Sequence, residues 1–116
     1  MIETRTLSGR VHLREGVDKT GATLRVKLED VSRIDASATL IAEVILPITQ
    51  PLHAGTELPF TIVVPDMNNH AHYNVRAHVD LTGSGDITKG DHISTAAYPV
   101  LTQGNPDIVT IEAIKI

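Results

Sequence analysis

The sequence contains no cysteine, which removes thiol catalysis, disulfide frameworks and cysteine-based zinc sites together. Aromatic residues are almost as scarce, at 3% of the chain: Phe60, Tyr73 and Tyr98, with no tryptophan. Single-stranded nucleic acids are gripped by stacking on aromatic faces, and sugars commonly are too, so both kinds of ligand are disfavoured. Positive charge is also thin. The net charge is −4 and the Lys and Arg residues are scattered singly, which leaves no electrostatic footprint for nucleic acid or an anionic membrane surface. No apolar run approaches the roughly 18 residues that would suggest a membrane-spanning helix. Met1 is followed almost directly by polar, strand-like sequence rather than by a leader pattern.

What the chain does have is β-branched and aliphatic residues in a period-two pattern. Its 116 residues, 41% of them hydrophobic, suit a single domain over 1–116 with one core built from Val, Ile, Leu and Ala. Leu7, Gly9, Val11 and Leu13 alternate with Ser8, Arg10, His12 and Arg14, and Leu24, Val26 and Leu28 alternate with Arg25, Lys27 and Glu29. Leu40–Leu46 is apolar on both parities except at Glu43. It fits a strand or a short helix, and its β-branched content favours the strand. Phe60, Ile62 and Val64 lie between Pro59 and Pro65. Tyr73, Val75, Ala77, Val79 and Leu81 alternate with Asn74, Arg76, His78 and Asp80. A weaker strand over 92–97 continues through Tyr98-Pro99-Val100-Leu101, and 108–116 forms a last, long one. Turn signals separate these runs at 15–21, 30–37, Gly83-Ser84-Gly85-Asp86 and Gly104-Asn105-Pro106-Asp107. The pattern predicts an all-β protein: a single antiparallel β-sandwich of about seven strands, immunoglobulin- or transthyretin-like, with one wet face on most strands.

Candidate chemistry centres on the six histidines. His70 and His72 form an H-x-H pair, which on a strand would place both rings on one face in a zinc- or copper-binding arrangement. A third ligand would have to come from His78, His92 or Asp66. The plainer reading is a pair of exposed loop histidines, because the pair follows Asp66-Met67-Asn68-Asn69 ahead of the Tyr73 strand. His12 and His78 fall on the polar faces of their strands, which predicts solvated rings, and His53 sits in a Pro/Gly-rich loop. The aspartates cluster at strand ends and turns, where they bond their own backbone, and no Asp-x-Asp-x-Asp calcium loop is present. No serine lies in a G-x-S-x-G context, and Gly83-x-Gly85 lacks the following helix of a phosphate loop. The reading is non-enzymatic, without catalytic residues, metal or cofactor.

Several phrases taken together are more specific. They are Ser8-Gly9-Arg10-Val11, then Ala22-Thr23-Leu24-Arg25-Val26-Lys27-Leu28-Glu29-Asp30-Val31-Ser32-Arg33-Ile34-Asp35-Ala36, Leu58-Pro59-Phe60-Thr61-Ile62, Tyr73-Asn74-Val75-Arg76-Ala77 and Tyr98-Pro99-Val100-Leu101-Thr102. In that order the chain resembles the YbaY/YscW family of small bacterial lipoproteins, which includes pilotin-type chaperones of type III secretion. The resemblance runs from Leu7 to about Ile114. It implies a compact β-sandwich, a lipidated Cys ahead of Met1 in a precursor, and a periplasmic place tethered to the outer membrane. The membrane would then be reached only through an anchor that this sequence does not carry. With Met1 as the native start, the same reading would instead give a cytoplasmic protein. The partner it implies is a protein, a secretin subunit or another envelope component, and the role that of a chaperone or scaffold. A small-ligand or carbohydrate-binding module is the alternative, and a histidine-based metal-binding protein a more distant one. The family phrases also have structural readings. Asp30 and Ser32 suit a turn cap with Asp35 at its far end, Tyr98-Pro99 fixes extended backbone, and Tyr73 suits a buried ring with a partnered hydroxyl.

Overall fold

The structure, a computed structural model, describes residues 4–18, 20–33 and 35–116. Met1–Glu3, Lys19 and Ile34, the last two assigned to turns by the sequence pattern, lie outside the described residues. Each alternating run forms a strand: β1 (Arg5–Leu13), β2 (Thr23–Asp30), β3 (Thr39–Pro47), β4 (Glu57–Val64), β5 (Tyr73–Asp80) and β8 (Ile108–Lys115). The ambiguous run at 40–46 is a strand. The weaker 92–101 stretch yields only two short pieces, β6 (His92–Ile93) and β7 (Pro99–Val100). They pair with β5 at different places, His92–Ile93 opposite His78–Val79 and Pro99–Val100 opposite Tyr73–Asn74, and the residues between them carry no ladder.

The strands join in one sheet, in the order β3-β2-β5-β6-β8-β1-β4, with β7 beside β5. The all-β, mostly antiparallel expectation of about seven strands holds, but the strands follow one continuous path, which does not confirm a sandwich of two packed sheets or an immunoglobulin- or transthyretin-like topology. The sheet curls until its two ends approach, so the fold is barrel-like with a seam between β3 and β4, where no ladder forms. Nor is the pairing wholly antiparallel, because β1 and β8 run parallel, with Val11 opposite Ile111. Alternation could not separate these architectures, since a sandwich and a barrel both demand one dry and one wet face per strand.

The dry faces meet inside. Leu7, Val11 and Leu13 of β1 pack with Leu24, Val26 and Leu28 of β2, Phe60, Ile62 and Val64 of β4, Tyr73, Val75, Ala77 and Val79 of β5, and Ile111 and Ala113 of β8, all buried. Gly9 holds the corresponding inward place in β1, opposite both Phe60 and Val109. The Phe60 ring occupies the space above it, so that a Cβ there would lie 2.9 Å from Phe60 Cζ and would also strike the Val109 carbonyl oxygen. Burying an aliphatic side chain of this kind contributes about 1.5–3 kcal/mol, so this interior supplies most of the driving force for folding.

Loops close the two ends. Tyr73, buried as expected, accepts a hydrogen bond from the Asn68 N–H at 3.1 Å through its hydroxyl. Tyr98 accepts one from Glu112 N–H at 3.0 Å, which ties the 94–98 stretch to β8. Asp30 Oδ1 accepts the Ser32 N–H at 2.9 Å, and Ser32 Oγ accepts the His72 N–H at 2.9 Å, so the Asp30/Ser32 turn is capped as its residue types require. The Ser32 hydroxyl also donates to Asp30 Oδ1, and this bond, with that from the Ser32 N–H, holds the Asp30 carboxyl below its ordinary value.

Candidate functional site

The polar face of β2 and β5 carries the densest chemistry in the molecule. Arg25 lies opposite His78, and Lys27 opposite Arg76, in the β2–β5 ladder. Loop 81–91 folds over the end of this face and buries what the strand pattern alone leaves in water. His78 and Asp80 of β5 are both buried, together with Asp91 from the far end of the loop. The predicted solvated His78 is therefore corrected: period two tells which face a side chain occupies, and a loop decides whether that face is covered.

Asp80 and Asp91 act as clamps on the loop. Asp80 Oδ1 accepts N–H bonds from Thr82 and Gly83 at 3.2 and 2.9 Å. Its Oδ2 accepts Gly85 N–H at 2.8 Å and Arg25 Nε at 3.1 Å. Gly83 and Gly85 have φ of 75° and 84°, the left-handed conformation that aims their N–H groups inward and that glycine alone adopts without cost. Asp91 Oδ1 accepts Leu81 N–H at 3.1 Å, and its Oδ2 accepts Thr88 N–H at 3.0 Å and His78 Nε2–H at 2.7 Å. An ionised carboxylate only accepts, so the His78 proton sits on Nε2. Burial pushes the Asp80 carboxyl up. The bonds from Gly85, Arg25, Gly83 and Thr82 outweigh it and bring the group down to about 2. Asp91 is shifted the same way: burial raises it, and the His78, Thr88 and Leu81 bonds lower it further.

Among the described residues, His78, Asp80 and Asp91 form the one group whose ligand atoms lie close enough together for a metal ion, within 4.8 Å of one another. Every carboxylate oxygen of the group already accepts from a protein N–H. A cation would have to displace Arg25 or a backbone amide, so the chemistry of the donor set is that of a loop clamp. The structure does not bring His70 and His72 together with any of their three candidate partners. Both are exposed in the loop before β5, with His70 N–H given to Asn68 Oδ1 at 3.0 Å. His92 faces the interior beside Val79, on the opposite side of the sheet from His78. Its Nδ1 has no hydrogen-bond partner among the described residues. Burial holds its imidazole below the ordinary value, so it is neutral at pH 7.

Next to the clamp, the polar face opens into a cleft of about 310 Å³ lined by Arg25, Lys27, Arg76, His78, Ser94 and the Gly85–Ile87 segment. A second concavity, of about 190 Å³, lies in the β3/β4 seam between Leu24, Leu46, Pro47, Ile48, Leu58 and Pro59. β3 itself is an edge. It pairs only with β2, and Leu40, Ile45 and Leu46 are exposed along it. A bulge between Leu28 and Glu29 of β2, where Ile41 has no register partner, bends this edge. The sequence pattern marks Leu40–Leu46 as a strand without saying that it lies at an edge, because the pattern of a strand does not name its neighbours.

These features define a small barrel-like β-domain with an apolar edge strand and a polar cleft. The chain belongs to the YscW family, described as the type III secretion system lipoprotein chaperone family, whose model matches residues 2–112. Its fold matches the structure of an alternative pilotin from the type II secretion system of Vibrio cholerae, at 24% sequence identity, with a TM-score of 0.80 and 98% of each chain covered. No curated protein matches the sequence.

Proposed function

We propose that the protein is a non-enzymatic, pilotin-like chaperone of a bacterial secretion system that works in the cell envelope and holds an extended segment of its client against the free edge of the sheet. Membership of a lipoprotein chaperone family and a pilotin-like fold support the role. The observation that carries the binding mode is β3. Nine residues long, it is unpaired along one side and, although Glu43, the terminal Pro47 and the bulge blunt it in part, it still exposes Leu40, Ile45 and Leu46. A client strand would satisfy the free backbone groups of β3, while Leu40, Ile45 and the seam concavity would receive its side chains. The client that the family resemblance points to is a secretin subunit, bound at the periplasmic face of the outer membrane.

The test is hydrogen exchange on the protein with and without a client captured from its own host. Protection of the β3 amides that point away from β2 is expected, with Leu40→Lys plus Ile45→Lys weakening capture at an unchanged unfolding midpoint. A bound client that leaves every edge amide exchanging as in the free protein would overturn the mode.

A further inference from the structure

We propose that the cleft on the polar face of β2 and β5 is a carboxylate-binding site, taking a single carboxylate carried on a short apolar stem. The inference does not depend on strand addition at β3. Three of the chain's ten Lys and Arg residues converge on this one concavity, in a protein whose net charge is −4. Two of the three are held in a particular way. Arg25 gives its Nε to Asp80 at 3.1 Å, and Arg76 forms an ion pair with Glu29, its Nε 3.1 Å from Oε1. Neither terminal Nη pair makes a hydrogen bond or ion pair among the described residues. Each acid therefore fixes one edge of a guanidinium and leaves its two-pronged end available, the arrangement that receives a carboxylate in bidentate fashion.

Lys27 lies between them in the ladder, facing Arg76 on one side and Glu43 on the other, and it makes no ion pair with Glu43 or with any other described residue. The charges choose the ligand. Arg25 and Arg76 each have their own acid, whereas Lys27, though opposite Glu43 in the ladder, makes no ion pair among the described residues and is the cation left to meet a ligand. Asp86 stands on the rim and opposes a second negative charge. A monoanionic, planar carboxylate fits that balance, and a phosphate dianion does not. Ser94 lines the wall, its hydroxyl engaged with the Ala77 backbone. Ile87, 51% exposed, and Ile93 supply apolar surface for the stem. The volume of about 310 Å³ lies at the small end of ligand pockets, suited to a side chain, a chain terminus or a small acid rather than to a larger molecule.

The experiment is a chemical-shift titration of the ¹⁵N-labelled protein with butyrate, with its neutral twin butyramide, and with inorganic phosphate. Butyrate is expected to move the amides of Lys27, Arg76, Ser94 and Gly85–Ile87, and butyramide to leave them in place. Lys27→Met breaks no ion pair and is expected to weaken butyrate about tenfold, the effect of losing one charge-assisted contact. A tripeptide of apolar residues, with a free and with an amidated C-terminus, then separates the sources. Tighter binding of the free-ended peptide than of butyrate assigns a chain terminus, and equal binding assigns a free acid; both uphold the carboxylate. Equal shifts from butyrate and butyramide, phosphate binding without butyrate binding, or full affinity in Lys27→Met would each overturn the proposal.

Discussion

Replacing Asp80 by asparagine keeps the shape of the side chain and removes the charge that gathers loop 81–91 onto β5. Its carboxyl lies at about 2 in the folded protein against 3.8 unperturbed, and the side chain is fully buried. At about 1.4 kcal/mol per unit, that separation makes the ionised form worth on the order of 2 kcal/mol to the fold. The folded value is depressed, so this contribution is complete above about pH 4 and vanishes as pH falls through the folded value near 2. Asp80→Asn, which resembles the protonated acid, is therefore expected to lose about 2 kcal/mol at pH 7. In urea that is a midpoint about 1–2 M lower at an unchanged slope. Arg25, only 17% exposed and left without its carboxylate, would add to the loss rather than offset it. The discriminating measurement is the difference between the two proteins' stabilities at pH 7, 4, 3 and 2. It is expected to stay constant down to pH 4 and to close towards zero at pH 2. A variant within about 0.5 kcal/mol of the parent at pH 7 would refute the clamp, since surface changes alone stay inside that band. A gap that does not close in acid would refute the assignment to this carboxylate.

Two further outcomes can be stated from the interior. Gly9→Ala forces a methyl group against the Val109 backbone oxygen and the Phe60 ring in a strand paired on both sides, and is expected to cost at least about 2 kcal/mol in chemical unfolding. A neutral result would show that β1 and β8 can separate freely. His92 is neutral and buried with Nδ1 unpartnered, and its folded value lies below the ordinary 6.5. Below that pH the unfolded chain takes up a proton that the folded chain refuses, so stability falls as pH drops from 6.5. His92→Leu is expected to stay within about 1 kcal/mol of the parent at pH 7 and to lack the loss between pH 6.5 and 5. Parallel stability curves across that interval would contradict it.

The strands were legible because burial on one face writes itself into sequence as alternation. Leu24, Val26 and Leu28 against Arg25, Lys27 and Glu29 state the inner and outer faces of β2 without ambiguity. Closure was not legible. The pairing of β1 with β8 joins residues about a hundred positions apart, and nothing in either strand names its neighbour. The candidate site divides the same way. Arg25, Lys27, Arg76, His78 and Asp80 were each placed on the polar face, but their meeting depends on the β2–β5 register and on loop 81–91 folding back. Gly83-Ser84-Gly85-Asp86 reads as a turn, and no local signal says that its amides bind a carboxylate at the end of the preceding strand. The family resemblance supplied what spacing could not, the class of protein.

The parallel run of β1 beside β8 gives the molecule a polarity. Arg5 and Lys115 finish at opposite poles, separated by a strand length of roughly 25–30 Å. The Arg5 pole also holds the Asp30/Ser32 turn and loop 65–72, while the seam concavity and loop 81–91 crown the other. The seam and the clamped loop thus share one pole, and β1 sets out from the other, so the two concavities lie at the far end of the barrel from Arg5.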